Sequence, residues 1–150
     1  ADVVVLRPIK FMTTTTGVHR FGMIPSDETE NKYTRHMKRL HPEFVTSVPY
    51  KYGVCDFQIW NTDVLDEIFK KVETHHGNNK EFWQIFLEQV QETQGASEYE
   101  IYFHYYTRTR PHEFMTELQR TMSNKVSDIH KFRADGYHAV SFHRWMGPRM

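Results

Sequence analysis

Ala1-Asp2-Val3-Val4-Val5-Leu6-Arg7-Pro8-Ile9 opens the chain. Asp2 sits directly against a β-branched run, and Pro8 stops that run. The stretch reads as a buried strand entered from a polar, functional end. It has neither a cap nor an initiator methionine before it. The chain is therefore expected to open in the middle of a motif, beside strands that precede Ala1.

Working outward, Thr13-Thr14-Thr15-Thr16-Gly17 reads as a polar loop and Gly22 to Pro25 as a short extended piece. Tyr33, Met37 and Leu40 recur at helical spacing over residues 31–40, and Pro42 stops that helix. Residues 50–60 read as a strand entered through Gly53, with Val54, Cys55, Phe57, Ile59 and Trp60. Residues 63–73 give the clearest helix. Val64, Leu65, Ile68, Phe69 and Val72 form its apolar stripe, and Thr62 or Asp63 can cap it. A second helix is expected over 80–92, with Phe82, Trp83, Phe86 and Val90 inward.

Gly95-Ala96-Ser97 breaks that helix. Ser97-Glu98-Tyr99-Glu100 then reads as a capping box, with Ser97 at N-cap and Glu100 at N3. The helix it opens runs to about Tyr106. Residues 114–122 are open between helix and loop, and residues 137–143 alternate as a strand. Strands and helices interleave, which favours α/β over α+β. No repeat, low-complexity tract or linker divides the chain, so 1–150 reads as a single domain.

Composition bounds the function. The 150 residues carry 25% charged and 39% hydrophobic side chains, ordinary for a globular protein. The formal net charge is zero, so nothing global argues for nucleic acid or an anionic membrane. From His104 onward eight Lys/Arg stand against four Asp/Glu, a basic third able to face a diphosphate. Aromatic residues reach 15%, which fits a Phe/Tyr-rich core or an aromatic-lined sugar cleft. The single cysteine, Cys55, excludes an intrachain disulfide and suits a reducing compartment. A cytoplasmic protein without a membrane span is the expectation.

Several chemistries lack their local signature. There is no His-Glu-x-x-His among the ten histidines, no Gly-x-Ser-x-Gly, no phosphate-binding Gly-x-x-x-x-Gly-Lys loop and no Gly-x-Gly-x-x-Gly. What remains are polar groups at the ends of elements: Asp2, Asp56, Glu98 and His143. Strand ends are where open α/β sheets bind ligands. A divalent cation bridging a diphosphate accepts a carboxylate and an imidazole, a pair that Asp2 and His143 can supply. Glu98, at the first position of its helix, is free to project toward a cleft, and the helix dipole favours its ionised form. It is the candidate catalytic base.

The opening Asp2-Val3-Val4-Val5-Leu6-Arg7-Pro8-Ile9 resembles the segment running through the Asp-x-Asp motif of GT-A-type glycosyltransferases, with Asp2 as the second aspartate. Tyr33-x-x-His36, His75-x-Gly77…Phe82-Trp83, Ser97-Glu98-Tyr99-Glu100-Ile101-Tyr102 and Tyr137…Ser141-Phe142-His143-Arg144-Trp145 resemble one family of nucleotide-diphospho-sugar transferases, otherwise known as a domain of unknown function. The resemblance spans most of the chain, in order. It implies a GT-A-like mixed sheet flanked by helices, with the N-terminal nucleotide-binding half missing. It also implies a divalent metal, Mn2+ or Mg2+, on Asp2 and His143. Donor or acceptor contacts would fall on Asp56, Gln58, Glu100, Arg144 and Trp145. The family's Cys-His-His-Met stretch is replaced here by Cys55-Asp56-Phe57-Gln58, which points to a different sugar.

The expected reaction is transfer of a sugar from a nucleoside-diphosphate donor to a carbohydrate or other hydroxyl acceptor. A non-catalytic carbohydrate-binding or interaction domain of the same fold is the alternative. A metal-dependent hydrolase using some of the histidines is the third reading. Exposed apolar surface and an open sheet edge are expected to promote self-association.

Overall fold

A computed structural model of the protein describes residues 2–11, 19–22, 24–25, 29–48, 51–53, 58–77, 79–112, 114–118 and 120–142. In chain order these form β1 (Asp2–Val5), β2 (His19–Gly22), β3 (Ile24–Pro25), α1 (Lys32–Leu40), β4 (Lys51–Tyr52), α2 (Thr62–His76) and α3 (Phe82–Glu88). There follow α4 (Glu98–Thr109), β5 (Phe114–Leu118), β6 (Arg120–Ser123), a 3-10 turn (Val126–Asp128), α5 (Ile129–Ala134) and β7 (Ala139–Phe142). The fold is mixed α/β.

The largest described sheet has the order β1-β7-β6. β7 lies antiparallel to β1 and parallel to β6. The parallel pair is joined through α5, as a parallel connection requires a crossover. β7 is the middle strand, and Ala139, Val140 and Ser141 are fully buried. β1 pairs on one side only among the described residues. The wholly buried strand expected from the valine run is therefore corrected. Val3 and Val5 are 36% and 55% exposed, while Leu6 is 4% exposed. The period-two pleat sends one face of an edge strand outward.

α1, α2 and α3 pack around α4. Eight consecutive residues, Glu100 to Thr107, are buried. A helix buried all round needs neighbours on every side. Met37 and Leu40 come from α1, Val64, Ile68 and Val72 from α2, and Ile85 from α3. Each such side chain contributes about 1.5–3 kcal/mol when fully buried. Arg110 and the Tyr105 hydroxyl both bind the Glu67 carboxylate, which ties α4 to α2.

Local signals set the helix starts, though not always the expected ones. Asn31 and Thr34 form the capping box of α1: the Asn31 side chain accepts from Thr34 N–H, and Thr34 Oγ1 accepts from Asn31 N–H. α2 is capped by Asn61, whose side chain accepts from Asp63 N–H at 2.8 Å, rather than by Thr62 or Asp63. Gly77 ends α2 at φ 60. α3 covers Phe82–Glu88, inside the longer helix expected, with Ile85 inward and Trp83 57% exposed. α4 runs to Thr109, because Pro111 pushes Arg110 out of helical backbone.

Residues 114–122, left between helix and loop, contribute strands β5 and β6. Of the expected strand 50–60, Lys51–Tyr52 pairs with Ile24–Pro25, and Gln58 to Trp60 is irregular. The Thr13–Gly17 loop and Cys55 lie outside the described residues.

Candidate functional site

The N-terminus of α4 is built from buried polar side chains. Ser97 is 1% exposed, and its Oγ lies 2.8 Å from His36 Nδ1. His36 Nε2 lies 2.9 Å from the Phe86 carbonyl. A carbonyl only accepts, so Nε2 carries the proton and Nδ1 accepts from the Ser97 hydroxyl. The expected capping box is corrected for this reason. Ser97 gives no side-chain bond to the helix backbone, because the imidazole of α1 has claimed its hydroxyl.

Glu100 does not turn back to Ser97 either. It is fully buried, and its Oε2 accepts the Gly53 N–H at 2.9 Å. His104 Nε2 lies 3.1 Å from the same oxygen, a close contact whose alignment falls short of a hydrogen bond. On the other side of the ring, Nδ1 accepts from Ser47 N–H at 3.2 Å. Serine, imidazole and carboxylate thus stand in a row, but His104 is 1% exposed and wedged between its partners. The row anchors Ser47 and Gly53 to α4.

Burial pushes the His36 imidazole below its ordinary value of 6.5. Burial, Lys71 and His75 do the same for His41. The unfolded chain takes up these protons near pH 6.5 and the folded chain resists them. Stability is therefore full above about pH 6.5 and falls as pH drops through that value toward the folded pKa. Thermal melts between pH 7.5 and 5.5 should show Tm falling with acid. The ceiling is about 1.4 kcal/mol per pH unit for each group. The slope should shrink in His36→Gln; an identical slope would remove His36 as the cause.

Glu98, the candidate base, is the exposed first residue of α4. It stands on the wall of a cavity of about 280 Å3, otherwise lined by apolar and aromatic residues of the segment before α2 and of α2, α3 and α4. Trp60, Phe69, Phe82, Trp83, Phe86 and Tyr102 are its rings among the described residues. Trp60 and Tyr102 lie 5.9 Å apart at 31°, and Phe69 stacks on Phe82 at 4.2 Å. The polar handles of these rings are engaged. Trp60 Nε1 donates to Gln58 Oε1, Trp83 Nε1 donates to Glu81 Oε2, and Tyr102 Oη accepts from Asn61 N–H. Burial pushes the Tyr102 pKa up to about 12, so its hydroxyl stays protonated. Sequence reasoning singled out Glu98 but not the tryptophans as its surroundings. Ser47 and His104 also went unnoticed.

The sheet brings Asp2 to the second place of interest. In the β1–β7 register Asp2 pairs with Phe142, and His143 follows Phe142 in the chain. Asp2 is described as backbone only. Asp56, His143, Arg144 and Trp145 lie outside the described residues. Gln58 is described: its Oε1 is held by Trp60, and its buried Nε2 has no acceptor among the described residues. Among the described residues no three His, Cys, Asp or Glu side chains converge to hold a metal ion. Nor is any helix among them long and apolar enough to cross a membrane.

Compared with protein-family models, with curated proteins and with solved structures, the chain matches none.

Proposed function

We propose that this chain is a metal-dependent glycosyltransferase of GT-A type, moving a sugar from a nucleoside-diphosphate donor to a hydroxyl acceptor. The observation that supports it is the pairing of Asp2 with Phe142. Paired antiparallel residues have Cα atoms about 4.5–5.5 Å apart. The next residue is one Cα step of 3.8 Å further on. His143 is the residue that follows Phe142 in the sequence, and we take it as the partner of Asp2. One carboxylate and one imidazole would suit Mn2+ or Mg2+ and leave positions for phosphate oxygens. When bound, such a cation neutralises charge on the leaving diphosphate.

The remaining roles fall to this chain's own side chains. Glu98 takes the proton of the acceptor hydroxyl. Arg144 adds a fixed positive charge toward the diphosphate. Gln58, whose Nε2–H has no acceptor among the described residues, offers it to a sugar oxygen, and Asp56 and Trp145 complete the donor and acceptor contacts. Glu100 acts at one remove, by holding Gly53 three residues before Asp56.

The exposed edge at Val3 and Val5 favours a second reading, a non-catalytic carbohydrate-binding or interaction domain. One assay separates the two. The protein is incubated with Mn2+ and, in turn, UDP- and GDP-linked hexoses, and free nucleoside diphosphate is measured. Release that stops on adding EDTA is the expected result. Absence of release with every donor would favour the interaction domain.

A further inference from the structure

The cavity beside Glu98 has a chemistry that its aromatic lining alone does not reveal. A sugar ring would bring several hydroxyls into it, and each needs a partner once water has left. The wall offers almost none. Both indole N–H groups are tied to chain neighbours, Trp60 to Gln58 and Trp83 to Glu81. The Tyr102 oxygen is held by Asn61. Leu65, Ile68, Leu87 and Ile101 have no polar side-chain atom at all. Among the described residues Glu98 is the one charged group on the wall. At about 280 Å3 the space is near the small end of ligand pockets, about 300 Å3. That admits one ring or a short alkyl chain and no peptide helix.

We infer that this cavity receives the apolar body of a small alcohol, with its hydroxyl at the mouth donating to the Glu98 carboxylate. The inference deepens the transferase reading and rests on it for the alcohol's role as acceptor. It also divides the labour in the active region. The sugar stays with the donor side and its polar contacts, and the aromatic cavity selects an acceptor with a hydrophobic aglycone. The two walls come from different elements, Trp60 before α2 and Trp83 from α3, and Phe69 stacked on Phe82 braces the space between α2 and α3. A flat ring entering there gains stacking from both indoles.

The probe is 4-nitrobenzyl alcohol, whose nitroaromatic ring quenches tryptophan fluorescence on contact. Saturable quenching is expected without metal or nucleotide. 4-Nitrotoluene, which lacks the hydroxyl, should bind about tenfold more weakly, since it forfeits a hydrogen bond to a charged acceptor. Glu98→Ala should bring the two ligands to equal affinity. Trp83→Ala should weaken both about three- to tenfold, the worth of one aromatic contact. Trp83 is 57% exposed, so this variant should melt as the parent does. The alcohol preference in Glu98→Ala is a ratio and survives any change in its stability. Glucose at millimolar concentration should not compete.

Quenching that never saturates would overturn the inference, as would equal affinity for alcohol and toluene in the parent. Tightest binding of 4-nitrobenzylammonium would also overturn it, reassigning the cavity to a cation. Nucleotide-sugar turnover is measured separately. Turnover without probe binding sinks the cavity assignment alone; probe binding without turnover keeps the alcohol site and sinks the transferase reading.

Discussion

Glu98→Gln should lower sugar transfer by about 10²–10⁴-fold, the usual loss for a general base. The melting temperature should scarcely move. Glu98 is an exposed residue in the first turn of α4, and the helix rests on the buried side chains after it, Glu100 to Thr107. A carboxylate in that turn gains only about 0.3–1 kcal/mol from the helix dipole. Gln keeps the shape and can still accept a hydrogen bond, but it cannot take a proton. The effect should fall on kcat, with KM for the nucleotide sugar little changed, because the lost interaction belongs to the transition state. Transfer at the parent rate would make Glu98 a surface charge.

Gly53→Ala should act in the opposite way, on stability before chemistry. A Cβ on Gly53 would lie 2.4 Å from Phe103 Cβ and 2.8 Å from its Cγ. Phe103 is fully buried on α4, and Cβ is the fixed root of its side chain, so rotation cannot clear the clash. Overpacking of this kind costs about 1–3 kcal/mol. The shift also strains the hydrogen bond from Gly53 N–H to Glu100. A fall in Tm of about 2–4 °C per kcal/mol is expected for a chain of this size. Gly77→Ala is the control: it has φ 60 but no described atom within 4 Å of a new Cβ. It should cost only the backbone term, about 1–2 kcal/mol. Gly53→Ala melting with the parent would show that α4 yields where its packing says it should not.

The parts of the fold legible in the sequence are those fixed by neighbours in the chain. Val64, Ile68 and Val72 sit one turn apart and are buried as their spacing implies. Residues 32–40 and 139–142 likewise follow from local pattern. Elements made by distant partners were not legible. β5 exists because it pairs with β2 from the far end of the chain, and β6 because it lies beside β7. Nothing in Phe114 to Ser123 names those partners.

The site divides along the same line. Ser97-x-x-Glu100 has the letters of a capping box, yet Ser97 answers to His36, 61 residues away, and Glu100 to Gly53. The motif is local in its letters, but both of its side chains serve tertiary contacts. Glu98 could be singled out because its position on the helix is a local fact. The cavity around it could not, since Trp60, Phe69, Trp83 and Tyr102 meet only once three helices pack. Trp83 in particular has the spacing of a core residue and the exposure of a cavity wall. Asp2 and Phe142 lie at opposite ends of the chain, and only the strand register pairs them.

Calorimetric titration of Mn2+ into the protein with UDP present, and again with GDP, tests the metal-dependent transferase most directly. Saturable binding that requires the nucleotide is predicted, weakened at least about tenfold by Asp2→Asn and by His143→Ala, the loss typical of an altered metal ligand set. Affinity unchanged in both variants, or no Mn2+ binding with either nucleotide, would contradict it.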